Sequence, residues 1–163
     1  LKQYRKSLAG SDTPFTPAHT LVAALVENLK LIRAAGIENV WSRARLLGQA
    51  TRAGIAAMGL EVFAARPADG VTSVRVPAGV DGADLLKRLE QQFGVKLAGG
   101  QSHLKGKIFR IAHLGIVDEL DIVSALVAID RVLDRLCDKV NAGSAAAAAQ
   151  RVRAESRAAA VGA

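Results

Sequence analysis

The segment GKIFRIAH, residues 106–113, has the clearest β-strand pattern in this sequence, with β-branched and aromatic residues following a glycine. Because side chains alternate along a strand, Arg110 shares one face with Ile108 and Ala112, and Phe109 belongs to the other face. A guanidinium between apolar neighbours costs free energy unless it reaches an anion or water. The segment therefore predicts both a sheet and a candidate binding residue, Arg110.

More strands and a helix are predicted on the N-terminal side of this segment. Residues 60–63 and 71–76 are expected to be strands, and a third short strand is expected at 95–97. Between the second and third strands, Asp81 is expected to cap a helix that Gly94 ends. The polypeptide thus alternates short strands with helices in its central region.

Longer helices are predicted on both sides of this central region. Thr16 as N-cap and Pro17 at the first helical position are expected to begin a helix that Gly36 ends. A second helix is expected over residues 38–58, and Asp118 is expected to cap a long helix after the last strand. Each has apolar residues at helical spacing, which predicts a buried face.

Two segments lack this periodicity. Residues 1–16 contain prolines and cap-type residues and are expected to be extended or looped. After Asn141 the sequence is rich in alanine and arginine without large apolar residues, so a frayed or loosely helical tail is expected.

The predicted elements follow the order helix, helix, strand, strand, helix, strand, strand, helix. This order predicts an α+β fold, with helices packed on one face of a small, mainly antiparallel sheet.

Composition excludes several classes of protein. The chain has 163 residues, which suggests one domain, or one domain with a tail. Its single cysteine, Cys137, excludes an internal disulfide framework and is expected to be a buried structural thiol. The longest apolar run, residues 21–26, is too short to span a bilayer, and no signal peptide is visible. We therefore expect a cytoplasmic protein without membrane partners. The chain begins without methionine, which suggests a fragment or a processed chain.

The net charge of +7 does not by itself predict a nucleic-acid partner. The first eight residues and the residues after Cys137 together contribute five units of this net charge. No basic run is interleaved with aromatic residues, as proteins that bind single strands require for base stacking. A solvated basic surface is the better interpretation of the charge, and we expect no nucleic-acid partner.

Two groups of residues could bind an anion. Arg110 could bind a carboxylate with both arms of its guanidinium, but it could equally pair with an acidic residue of the same fold or extend to water. Gly10, Ser11 and Thr13 precede a helix and could hold a phosphate, or they could form an ordinary polar loop. The three histidines have no spacing typical of metal ligands, so no metal site is expected.

Four stretches of the sequence form a recognisable set: Asp12-Thr13-Pro14, VRVPAGVD at 74–81, Gly99-Gly100 and GKIFRIAHLG at 106–115. Together they resemble the C-terminal part of class V pyridoxal-phosphate-dependent aminotransferases. The resemblance is to the alanine–glyoxylate, serine–pyruvate and serine–glyoxylate aminotransferases, and it covers about residues 1–137. The most specific stretch is GKIFRIAHLG.

This resemblance implies a dimeric fold-type I enzyme with a large cofactor domain and a small C-terminal domain. Residues 1–36 would be the end of the large domain and a linking helix, 37–138 the small α+β domain, and 139–163 an Ala/Arg-rich tail. The full-length enzyme would bind pyridoxal 5'-phosphate as a homodimer. It would move an amino group from a small amino acid, alanine or serine, to glyoxylate or pyruvate.

The resemblance also assigns site residues. Arg110 would clamp the substrate α-carboxylate, and Thr13 would reach the cofactor phosphate across the dimer. Where the family often has a tyrosine, this chain has Gly10, so that contact is absent or made by another residue. No lysine here matches the context of the Schiff-base lysine, so the chain contains no catalytic residue and should be inactive alone.

Two other functions fit the composition. A non-catalytic binding or dimerisation module could use the same scaffold, and a basic α+β domain could bind nucleic acid. The first alternative predicts a reading frame that begins near Leu1, and the second predicts salt-sensitive binding to DNA or RNA.

Overall fold

The computed structural model describes residues 2–137 and 140–161. The chain folds as two compact units, Leu1–Val40 and Trp41–Ala163. In the described residues no helix is both long and apolar enough to cross a membrane. The helices are α1 (Lys2–Leu8), α2 (His19–Ala35), α3 (Ile37–Ala57), α4 (Gly82–Phe93), α5 (Glu119–Asp134) and α6 (Ser144–Val161), and the strands are β1 (Val71–Arg75), β2 (Ala98–Gly99) and β3 (Ile108–Ala112).

The second unit contains a three-stranded antiparallel sheet in the order β1-β3-β2, which confirms the predicted α+β class. The strand predicted at 60–63 is wrong in extent, because only an isolated bridge between Val62 and Val74 forms there. The strand predicted at 95–97 is also displaced, since pairing begins at Ala98. Val95 instead donates its N–H to Leu89 O at the end of α4, which removes it from the sheet.

Helix boundaries in the second unit follow the predicted capping residues. The Asp81 side chain accepts a hydrogen bond from Ala83 N at 2.8 Å, and Gly94 ends α4 in the left-handed conformation. Asp118 begins α5 with a complete capping box to Asp121. These caps orient the apolar faces of α4 and α5 toward the core, which also contains Phe109 from β3.

The first unit departs from prediction at both of its helices. Lys2–Leu8 forms α1 where a loop was expected, because this stretch contains good helix formers and no proline. Helix α2 begins at His19, not at Thr16-Pro17, since the ψ angle of 66° at Ala18 is not helical. No residue of either helix is buried in the described structure.

Residues 144–161 form α6, a regular helix, where a frayed or loosely helical tail was expected. Ala145, Ala148 and Ala149 are buried, and α6 packs against α5. Small side chains allow helices to approach closely, so a buried face can form without large apolar residues. The expectation for Cys137 also needs correction, because this thiol is partly exposed, not buried.

Candidate functional site

Arg110 lies in the centre of the sheet, in the middle of β3, opposite Ser73 on β1 and Ala98 on β2. Its side chain is half-buried. Phe109, on the other face of the strand, is fully buried in the core. The core thus fixes the backbone of β3 and holds Arg110 on the face predicted from the alternation.

The guanidinium of Arg110 has a backbone partner on the neighbouring strand. Its Nε and Nη2 atoms donate to Gly99 O at 3.1 and 2.9 Å. No carboxylate lies within salt-bridge distance of Arg110 in residues 2–137 and 140–161, whereas Arg88 pairs with Asp84 at 2.7 Å. A neutral carbonyl orients the side chain without neutralising its charge, so Arg110 keeps a positive charge available to a ligand.

Arg110 faces a cavity of about 610 Å³. Lys96 is a second cation at this cavity, but it is largely exposed and pairs with Glu90 at 3.0 Å. Asp121 is the acidic residue in the lining, and its carboxylate accepts the Asp118 N–H at 2.9 Å. The remaining lining residues are mostly small or apolar: Val71, Val95, Leu97, Ala98, Ile111, Ala112, Val117, Ile122, Ser124 and Ala125.

These features suit a small anion with an apolar remainder. An anion at Arg110 would be partly shielded from water, which strengthens a charge-assisted hydrogen bond. The apolar lining would accept aliphatic carbon atoms. The cavity can therefore bind a small carboxylic acid.

The imidazole of His113, which follows β3, is buried and does not line the Arg110 cavity. His113 Nδ1 lies 3.1 Å from Asp69 O, and burial lowers the pKa of the imidazole. Arg52 also lowers this pKa, while Asp69 opposes the shift. The imidazole does not line the Arg110 cavity, so we assign it to the core.

Thr13 lies in the exposed loop between α1 and α2, in the first unit. Its backbone N–H donates to Asp12 Oδ1 at 2.7 Å, and its hydroxyl has no hydrogen-bond partner among the described residues. The loop lines an open depression of about 820 Å³ formed by residues 12–17. The Thr13 hydroxyl can therefore give a phosphate one hydrogen bond, but the Asp12 carboxylate beside it opposes a second anion.

Gly10 and Ser11 are the other residues of the predicted phosphate-binding loop, and their backbone amides form hydrogen bonds within the chain. Gly10 N donates to Ser7 O and Ser11 N to Leu8 O, which closes the end of α1. Their amides are thus unavailable to a phosphate. Of this group, the hydroxyls of Ser11 and Thr13 have no hydrogen-bond partner in the described structure, whereas the amides of Gly10, Ser11 and Thr13 are engaged, so a hydroxyl contact to a phosphate fits and a full backbone-amide site does not.

In the described part of the chain, no three His, Cys, Asp or Glu side chains are close enough to share a metal ion. Sequence reasoning missed the Gly99 carbonyl as the partner of Arg110. The glycine pair was visible, but the acceptor is a backbone atom whose position depends on the register of β2. Lys96 and the Val117–Ala125 side of the cavity were also not predicted.

No protein-family model matches the chain. Among curated proteins, it is 41% identical to the small subunit of a soluble hydrogenase of Synechococcus over 93% of this chain and 40% of that protein. It is 38% identical to serine–glyoxylate aminotransferase of Methylorubrum extorquens over 83% of this chain and 35% of that enzyme. The chain thus spans two fifths or less of these relatives.

A solved structure has the same fold. Pyridoxamine–pyruvate aminotransferase of Mesorhizobium loti superposes with a TM-score of 0.83 and 33% identity, over 88% of this chain and 38% of that enzyme. The sequence comparison and the structural comparison both match this chain to a little over one third of an aminotransferase. Over this segment the chain is similar in sequence and in fold to class V aminotransferases, and the partial match agrees with their C-terminal portion.

Proposed function

We propose that this chain is the substrate-carboxylate-binding part of a pyridoxal-phosphate-dependent aminotransferase. The whole enzyme would move an amino group from a small amino acid, alanine or serine, to glyoxylate or pyruvate. The observation that carries this proposal is Arg110, a half-buried cation at a small cavity, with a carbonyl as its protein partner and no acidic one in the described residues. The names of the serine–glyoxylate and pyridoxamine–pyruvate relatives support the substrate class.

In this proposal the cofactor, when bound, supplies the electron sink for transamination. Arg110 binds the α-carboxylate and fixes the orientation of the substrate, and the apolar cavity wall limits the access of water. Thr13 contributes one hydrogen bond to the cofactor phosphate. We assign no lysine of this chain to the Schiff base, so the chain alone should not catalyse transamination.

The exposed apolar surface of α2 supports a larger assembly. Leu21, Leu25 and Leu29 lie one helical turn apart and are all more than half exposed. Leaving such surface in water forfeits about 25 cal/mol for each Å² that could be buried. We propose that other parts of a homodimeric full-length enzyme cover this helix.

The test compares Arg110→Ala with Arg88→Ala in the full-length enzyme. Arg88 is a matched control, because it is also half-buried but pairs with Asp84 and does not line the cavity. We expect Arg110→Ala to lower kcat/KM for serine and glyoxylate about 100-fold, through loss of a charge-assisted bidentate contact. Cofactor binding, followed by absorbance, should be unchanged. Equal kinetics in the two variants would refute the role of Arg110.

The relatives do not favour a non-catalytic module, the alternative that the sequence left open. One relative is the small subunit of a soluble hydrogenase, and this chain matches 40% of the length of that protein. The aminotransferase proposal is therefore the one that the site supports.

A further inference from the structure

The guanidinium of Arg110 is engaged along only one of its edges. A guanidinium has five N–H donors, and its Nε and Nη2 atoms form one side that can hold an acceptor. In this structure that side is taken by Gly99 O. The Nη1 protons and the second Nη2 proton have no hydrogen-bond partner among the described residues.

The Gly99 carbonyl is itself held by a tight loop. Gly100 N donates to Ile108 O at 3.0 Å, which ties the end of β2 to β3. A Cβ atom added at Gly100 would lie 2.1 Å from Leu104 O, a distance that real Cβ atoms do not adopt. Leu104 O cannot easily yield, because it accepts the Lys107 N–H at 3.0 Å.

We propose that Gly99 O is the positioning group of the site and that Gly100 is the positioning residue that keeps it in place. The carbonyl holds Arg110 by its Nε–Nη2 edge, so a substrate carboxylate binds end-on to Nη1 and Nη2. This inference rests on the proposed function and deepens it, because it defines the side from which the carboxylate approaches. A shift of about 1 Å in such a group can change rates strongly.

The first test measures Gly100→Ala in the full-length enzyme against Gly79→Ala. Gly79 has a φ of +89°, so alanine is strained there too, but Gly79 is neither adjacent to Gly99 nor at the cavity. We expect Gly100→Ala to raise KM for the amino acid and the oxo acid about tenfold, with kcat within about twofold, because a binding contact is misplaced. Gly79→Ala should keep both values near wild type. A folded Gly100→Ala enzyme with the KM of Gly79→Ala would overturn the proposal.

The second test does not depend on activity or on a folded variant. In the wild-type chain, NMR should show the Arg110 Nε–H exchanging slowly with water, because Gly99 O accepts it. The reference is Arg66, whose side chain makes no hydrogen bond among the described residues. Exchange of Arg110 as fast as that of Arg66 would overturn the inference. A wild-type full-length enzyme without transamination would instead refute the proposed function, whatever the NMR result.

Discussion

Both units of this chain contain helices with apolar residues at helical spacing, but the burial of these residues is very different. In residues 41–163, Leu85 and Leu89 on α4 are completely buried. In residues 1–40, Leu25 on α2 is 56% exposed, and no residue of α2 is buried. A helical stripe therefore predicts which face of a helix is apolar, but not whether this chain contains the surface that covers it.

This difference separates the two candidate site residues. The core of residues 41–163 fixes β3 from behind, so the Arg110 cavity is formed by one unit of the chain. Thr13 lies in a loop of the other unit and offers a single free hydroxyl. The proposed carboxylate site is therefore formed within one unit of this chain, whereas a phosphate site would need donors from elsewhere.

The largest effect is expected when one leucine on a helix of each unit is replaced by alanine. Leu89→Ala should lower the free energy of unfolding by about 2–5 kcal/mol, because it leaves a cavity in a close-packed core. Leu25→Ala should change it by less than about 0.5 kcal/mol, since that side chain remains in water. Urea unfolding of the chain followed by circular dichroism measures both. A similar cost for the two variants would mean that α2 is buried in solution.

Sequence reasoning predicted the elements that carry strong local signals. Asp81, Gly94 and Asp118 fix helix ends through their own backbone contacts, so these boundaries were predictable. The face of Arg110 followed from alternation in the same way. Local signals therefore predicted strands β1 and β3, the capped helices and the candidate cation.

Two of the features that were predicted wrongly depend on partners distant in sequence. Pairing of β2 at residues 98–99 is set by β3, and this register creates the contact between Gly99 and Arg110. The buried face of α6 consists of alanines and packs close to Gly54 of α3, so α6 has no stripe of large apolar residues to detect. Such contacts have no signature in a single segment.

A smaller effect on stability is expected at Gly54, where α3 packs closely against α5 and α6. A Cβ atom at Gly54 of α3 would lie 2.6 Å from Leu126 Cδ1 and 3.1 Å from Ala145 O. Gly54→Ala should therefore destabilise the second unit by about 1–3 kcal/mol, although alanine normally favours helices.

The control for this substitution lies in the first unit. A Cβ atom at Gly10 would meet only Ser7 O, at an ordinary 3.6 Å. Gly10→Ala should change the free energy of unfolding by less than about 0.5 kcal/mol. Thermal or urea unfolding compares the two, and a stabilised Gly54→Ala chain would show that α3, α5 and α6 are not packed as described.

The smallest expected effect concerns pH and the buried imidazole of His113. Burial lowers its pKa below the value in the unfolded chain, and nearby Arg52 adds to this shift while Asp69 opposes it. Between the two pKa values the unfolded state binds more protons than the folded state, so stability falls as pH decreases. The contribution is fully present above about pH 6.5, the unfolded value, and is lost progressively below it.

His113→Gln should remove this dependence because glutamine does not titrate. Wild type should lose more stability than the variant between about pH 7.5 and about pH 5.5, measured by urea unfolding at each pH. Between about pH 8 and about pH 9 the difference between the two proteins should stay constant, since the imidazole is neutral in both states there. Parallel curves across the acidic range would mean that His113 is accessible to protons in the folded chain, and hence that this end of β3 is less well covered than the core beside it.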